Sequence, residues 1–305
     1  MYTKDDILSM IKKVNDRFPT DRKIKYINYG KNWTNTSWNL GDTAFLSIIP
    51  KKAFRANRDV HIFSQSTFFE PLMIFNDFYI PVKGFELSHL SNYNPIFSLY
   101  DIDAGNGHWL QVQSRAMGFE IDIKPKPYIK LKCDKIPNTV LINIEGHSFH
   151  HLTNIIIPTI QKFVDDNNNK YHFVETFSKQ NTPHLKNVEY FSLPLEEMIK
   201  RFATFEYFIG IDSGPMHIAA ALDVKGIIIT DKPSVDRLYL PKPNGNLGDF
   251  GGMSYLYPQN VHLHVNGENE LVKQLTVENL LRAINGDLYP YWKEDYLDLI
   301  LEFNK

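Results

Sequence analysis

Apolar residues at Ile7, Met10, Ile11, Val14 and Phe18 recur at helical spacing behind Thr3 and Asp6, which predicts an amphipathic first helix with a capping-box-like start. Strand-sized runs follow at 24–29, 60–63, 78–82 and 96–100, with an apolar segment over 43–54 and a helix from about 108 to 117 stopped by Gly118. The second half repeats the rhythm: strand 139–144, helix 153–166, strand 171–174, helix 194–203, strand 207–211, helix 215–222, strand 226–230. A helix over 277–284 has Gly286 as its stop, and a last amphipathic helix carries Trp292, Tyr296, Leu297, Ile300 and Leu301. Strands alternating with helices imply βαβ units and a parallel sheet, an α/β fold.

The stretch "IDIKPKPYIKLKCDKIPN" interrupts this pattern with prolines and lysines, so the domain boundary is placed there: one domain over 1–135, a second over 136–288, and a terminal helix over 289–305. A length of 305 residues suits two such domains, and 43% hydrophobic with 22% charged residues is an ordinary globular composition. Cys133 stands alone, which excludes an internal disulfide, and no short-spaced Cys/His cluster reads as zinc. The polar opening helix is unlike an apolar signal, and no apolar run approaches the roughly 20 residues of a membrane span, so a cytoplasmic protein is expected. Charge is unevenly divided. Residues 1–135 hold 19 Lys and Arg against 14 Asp and Glu, leaving 14 against 21 in the remainder. Such a split would draw an anionic partner to the first half, unless it is only surface decoration.

In "YFIGIDSGPMHIAAALDVKGIIIT", residues 207–230, a strand passes through Asp212, Ser213 and Gly214 into a helix of small residues opened by Pro215. That places the turn at the carboxyl edge of a parallel sheet, where open α/β sheets bind ligands. Proline in a first helical turn needs no amide partner, Gly214 would let a ligand approach the backbone, and the free amides at the positive helix end favour a phosphate. The plainer reading is a capped helix, with Asp212 or Ser213 as the cap and His217 packed in the first turn.

"GIDSGPMHIAAAL" resembles the donor-binding signature of the heptosyltransferase-like glycosyltransferases, family nine, in which Asp-Ser/Thr-Gly-x-x-His precedes small residues. In "NLGDTAFLSIIP", Leu40, Gly41, Asp42 and Pro50 resemble the Gly-Asp motif of the same family's other domain, and "PLEEMIKRFATFEYFIGIDSG" resembles its helix and motif strand. The resemblance implies a GT-B architecture: two Rossmann-like domains, the first holding the acceptor, the second the nucleotide-sugar, and a C-terminal helix crossing back. It implies an inverting transfer that uses no metal and no further cofactor. Where the family carries a lysine after the first strand of the second domain, this chain has "EGHSFHHLTN", with His147, His150 and His151. "TDKPSVDR" follows Thr230, so Lys232 or Arg237 would supply the phosphate charge.

Transfer of a sugar to a hydroxyl needs a base and a place for the departing diphosphate. Asp42 is the candidate base, with a helix N-cap as its structural alternative, and the amides of Ser213, Gly214 and Met216 are the candidate phosphate donors. His217 would touch phosphate or donor sugar, or else be a packed structural residue. Trp33 and Trp38, just before Gly41, would stack on a sugar or base, or else pack in the core. The acceptor is a glycan, glycolipid or other hydroxyl compound, possibly anionic. Lys124, Lys126, Lys130, Lys132 and Lys135 would attract a phosphorylated acceptor or, less plausibly, nucleic acid; a solvated basic face is the plainer alternative. Three other functions remain open: a nucleotide-sugar epimerase of GT-B fold, a metal-dependent GT-A enzyme using Asp101 and Asp103, and a non-catalytic nucleotide- or glycan-binding module.

Overall fold

The computed structural model describes residues 25–28, 40–57, 60–63, 66–79, 107–108, 110, 114, 119, 122, 125–146, 150–177, 183–231, 253–254, 257, 259–268 and 273–288. Of residues 25–28, 42, 60–63, 107–108, 150 and 253–254 it describes the backbone alone. The first and last helices expected from the sequence, and the strand expected over 96–100, lie outside these residues.

In the first half, strand β1 (Lys25–Asn28) pairs in parallel with β2 (Val60–Phe63), register Lys25 to Val60. Between them the apolar segment folds as two helices, α1 (Leu40–Leu46) and α2 (Ile48–Arg55), hinged at Ser47. The hinge is fixed on three sides. The Ser47 hydroxyl donates to the Ala44 carbonyl at 2.6 Å and accepts from the Tyr128 amide at 2.8 Å, while Asn76 donates to the Ser47 carbonyl at 2.6 Å. Pro50 is accommodated because it falls in the first turn of α2. Helix α3 (Phe69–Met73) follows. The strand expected over 78–82 is not seen in its described part: Asn76 accepts the Phe78 amide on its side chain and the Tyr79 amide on its carbonyl, which makes a turn. Gly107–His108 forms a short strand, β3, rather than the start of a helix, though Leu110 and Ser114 are helical.

The second half is a doubly wound sheet. Strands β4 (Ile136–Asn143), β5 (His172–Thr176), β6 (Glu189–Phe191), β7 (Phe205–Ile211), β8 (Lys225–Thr230), β10 (Val261–His264) and β11 (Lys273–Gln274) lie in the order β11-β10-β8-β7-β4-β5-β6. All described pairings are parallel. The remaining strand, β9 (Met253–Ser254), pairs with β3. Numbered within the large sheet, its order is 3-2-1-4-5-6-7, the dinucleotide-binding winding, with its switch point between β4 and β7. Helices α4 (His150–Asn167), α5 (Leu195–Phe202) and α6 (Gly214–Ala221) make crossovers, and with α7 (Val277–Asn285), which follows the last strand, they cover both faces.

Strand periodicity assigns the two faces. Val140, Ile142, Ile209, Ile211, Ile227 and Ile229 pack under α4 and α7. Leu141, Phe208 and Ile228 face α5 and α6, and their core runs on without a break into Ala44, Phe45, Leu46 and Ile49 of the first half. Helix α7 is closed at both ends as its sequence suggests: Thr276 accepts the Asn279 amide, and Gly286 takes a left-handed conformation with φ of 82°. The proline- and lysine-rich stretch is tied down. Lys135 donates to the carbonyls of Ala203 and Leu222, each at 3.0 Å, placing its charge at the negative ends of both α5 and α6. Lys126 pairs with Asp223, and Lys130 pairs with Asp77 at 2.6 Å. Those three lysines therefore have intramolecular partners, against the reading of the whole run as an open anion-attracting face; Lys124 lies outside the described residues.

Candidate active site

The Asp212-Ser213-Gly214 turn leaves β7 at the switch point, directly beside the end of β4. Gly210 makes this possible, because a Cβ there would sit 2.4 Å from the Asn143 carbonyl oxygen across the pair. Ser213 has extended backbone as the N-cap of α6, but its hydroxyl makes no cap bond. It donates instead to the Asn143 side-chain oxygen at 3.1 Å, while the Asn143 amide donates to the Thr176 carbonyl at 2.9 Å. One buried asparagine thus cross-links the carboxyl ends of β5, β4 and β7.

With the side chain engaged, the helix start keeps its own amides. Met216 donates to the Ser213 carbonyl at 3.0 Å, so this expected phosphate donor is already used within the turn. The Ser213 and Gly214 amides have no hydrogen-bond partner among the described residues. Pro215 follows in the first helical turn and contributes no N–H. An anion at this helix end would meet two donors and the positive end of the helix dipole.

The Gly-Asp segment, some 170 residues earlier in the chain, packs directly on this turn. A Cβ on Gly214 would come within 2.6 Å of the Leu40 Cβ, and one on Gly41 would lie 2.7 Å from the His217 ring and 3.7 Å from the Gly214 Cα. Gly214 does not have positive φ; it is small because α1 rests on it. The sequence reading gave the space at Gly214 to a ligand, whereas the side a Cβ would occupy belongs to Leu40. Asp42 lies within α1, which has already begun at Leu40, so it is not the N-cap before Thr43.

His217 sits beneath both motifs. It is 4% exposed, edge-on to Phe45 at 4.7 Å between ring centroids, and its Nδ1 lies 2.8 Å from the hydroxyl of fully buried Tyr257. Its Nε2 is 3.8 Å from the Asp212 carboxylate. That nearby carboxylate favours the proton on Nε2, so Tyr257 donates to Nδ1. Burial lowers the imidazole pKa to about 3. Burial also raises the Tyr257 hydroxyl well above its usual range, and the Asp212 charge adds to this. A neutral, enclosed imidazole of this kind positions Asp212 and supports α1 rather than meeting a ligand. Sequence reading missed Tyr257 because the Tyr257–His217 pair spans 40 residues with no motif at the tyrosine.

A consequence for stability follows from the depressed His217 pKa. The unfolded chain binds a proton near pH 6.5, the folded one not until about 3, so stability is intact above about 6.5 and declines as pH falls. His262, lowered by burial to about 4, acts in the same direction. Urea unfolding at pH 7 and pH 5 is expected to show the loss, up to about 1.4 kcal/mol per pH unit for each histidine. His217→Gln should flatten the slope by about one proton; an unchanged slope would show that His217 is not buried neutral.

The other expected site residues divide clearly. Trp33, Trp38, Lys232, Arg237, His147, Asp101 and Asp103 lie outside the described residues. His151 pairs through Nε2 with Asp231, at the end of β8, at 3.0 Å. Among the described residues no group of three or more His, Cys, Asp or Glu is placed to hold a metal ion, and no helix is long and apolar enough to cross a membrane.

Residues 175–230, from the end of β5 through the turn to the end of β8, match the profile of glycosyltransferase family 9 (heptosyltransferase). No curated protein matches the chain by sequence. Its fold is similar to that of a glycosyl transferase family 9 protein from Veillonella parvula DSM 2008, with a TM-score of 0.52 and 12% identity over 86% of this chain and 96% of that one. It is equally similar to the E. coli heptosyltransferase WaaC with ADP-2-deoxy-2-fluoro heptose, with a TM-score of 0.52 and 11% identity over 87% of this chain and 100% of that one. The GT-B fold removes the GT-A alternative. The chain thus has a fold similar to that of family 9 glycosyltransferases, and its stretch from the end of β5 through the turn to β8 matches the profile of that family.

Proposed function

We propose that the protein is an inverting glycosyltransferase that moves a sugar from a nucleotide diphosphate donor to an acceptor hydroxyl without a metal ion. The observation that carries this reading is the meeting of the two motifs, with Gly41 and Gly214 in near-backbone contact. Residues 136–288 take the donor, and its diphosphate rests on the Ser213 and Gly214 amides with Lys232 adding positive charge. Residues 1–135 take the acceptor, with Trp33 and Trp38 beside it, and 289–305 return to that half. In the reaction Asp42 removes the acceptor proton as the oxygen bonds to the anomeric carbon. The bond from that carbon to the diphosphate oxygen breaks on the opposite face, and the nucleoside diphosphate leaves with the electron pair into the amides of the turn.

The acceptor is a glycan or glycolipid met in the cytoplasm, and the heptose-bearing ligand of the E. coli neighbour makes an ADP-sugar the first donor to try. The test is a thermal-shift panel of nucleoside diphosphates in EDTA, followed by transfer assays with the matching sugars. A diphosphate at 100 times its dissociation constant should add about 2.7 kcal/mol of stability. Binding that disappears in EDTA and returns with Mn²⁺ would overturn the metal-independent reading. Binding without turnover on any acceptor would favour a binding module.

A further inference from the structure

The start of α6 carries a capping residue that does not cap. Ser213 stands at the N-cap with extended backbone, as that position favours, yet its hydroxyl is bonded to Asn143 on β4 and not to the helix. Strand periodicity puts Asn143 on the side of Leu141, the face covered by α5 and α6, and it is the one polar residue in the apolar run "VLINI". It is 2% exposed, and a buried amide is tolerated only when its polar atoms are bonded. The Thr176 carbonyl can only accept, so the Asn143 nitrogen faces it, at 2.9 Å. The Asn143 oxygen therefore faces Ser213, and the hydroxyl proton is spent on it at 3.1 Å.

We infer that Asn143 is a positioning residue for donor binding, holding the Ser213 hydroxyl off the helix end so that the end stays open to the diphosphate; this rests on the donor reading given above. A capping oxygen and a bound anion seek the same place, the free amides of the first helical turn. Pro215 has no N–H, so a released Ser213 hydroxyl would turn back onto the Met216 amide and set its oxygen against the incoming phosphate. The helix would gain a cap and lose an anion site. Asn143 settles that competition in favour of the anion. Within the turn, the phosphate is then met by the Ser213 and Gly214 amides and not by the serine side chain. Only an amide serves at 143: aspartate has nothing to donate to the Thr176 carbonyl, and leucine can neither donate nor accept. Asn143 and Thr176 end neighbouring strands, so the hydroxyl is anchored to the sheet itself.

The test is a double-mutant cycle read in two ways, by calorimetry with ADP, UDP and GDP in EDTA and by the urea midpoint. Asn143→Leu keeps the volume and frees the hydroxyl, so affinity for the preferred diphosphate should fall roughly tenfold. Made in a Ser213→Ala background, where no hydroxyl can turn back, the same substitution should cost about threefold or less. Comparing Asn143→Leu with the double variant, affinity should rise while the urea midpoint falls, because the acquired cap is lost. A merely structural asparagine cannot give that opposition, since its loss would weaken binding equally in both backgrounds. Asn143→Ala repeats the cycle with a smaller side chain should leucine prevent folding. An equal cost of the 143 substitution in both backgrounds overturns the inference. So does a loss of about tenfold or more on Ser213→Ala alone, which would make the hydroxyl itself a phosphate ligand. Either result leaves the phosphate turn standing, whereas failure of every diphosphate to bind the wild type overturns both.

Discussion

Asp42→Asn is expected to lower the rate of sugar transfer by about a hundredfold or more while changing the affinity for nucleoside diphosphate by less than about threefold. The substitution conserves shape and leaves an acceptor oxygen, so α1 should fold as before. What disappears is the capacity to take a proton. Because α1 already runs from Leu40, Asp42 is not its N-cap, and no loss of capping confuses the result. The affinity should hold because the diphosphate is assigned to the amides of the turn on α6 and not to Asp42. Dissociation constant and transfer rate measured on one preparation separate a base from a structural residue. Near-normal turnover would remove Asp42 from the chemistry.

Gly214→Ala is expected to damage both stability and donor binding. The new Cβ would stand 2.6 Å from the Leu40 Cβ, which is fixed to the backbone and cannot swing aside as a side-chain tip would. Either α1 or the start of α6 must move. Overpacking of this kind costs about 1–3 kcal/mol, read as a lower urea midpoint at unchanged slope. The movement also takes the Ser213 and Gly214 amides out of register with a diphosphate, so affinity should fall at least about tenfold. Leu40→Ala clears the clashing atoms beyond Cβ and should restore part of the loss in the double variant, as coupled neighbours do. Full additivity of the two substitutions would show that the two motifs do not bear on each other.

These expectations differ in how far the sequence foretold them. The β7 strand, the turn and α6 were legible from local chemistry: an apolar run ending at Ile211, a proline in the first helical turn, and small residues after it. The same holds for α7, whose Thr276 cap and Gly286 stop are local signals. Strand β10 was not legible, since Val-His-Leu-His offers alternation but no β-branched run, and two-residue β11 offers no pattern at all. The break at Ser47 depends on Asn76 and Tyr128, which are 29 and 81 residues away. Nothing in "SGP" announces that Gly214 is small for the sake of Leu40; that fact exists only once α1 and α6 meet. Tyr257 and the Asn143–Ser213 bond were hidden for the same reason, being tertiary contacts between positions with no spacing rule.

The central claim is that the donor diphosphate rests on the turn at the switch point, beneath the Gly-Asp segment. The most direct measurement is the amide spectrum of ¹⁵N-labelled protein during titration with a nucleoside diphosphate in EDTA. The account requires the Ser213 and Gly214 amides to move downfield as they become hydrogen-bonded to phosphate, with Gly41 shifting as their packed neighbour. Saturable binding that leaves the Ser213 and Gly214 amides unmoved would contradict it.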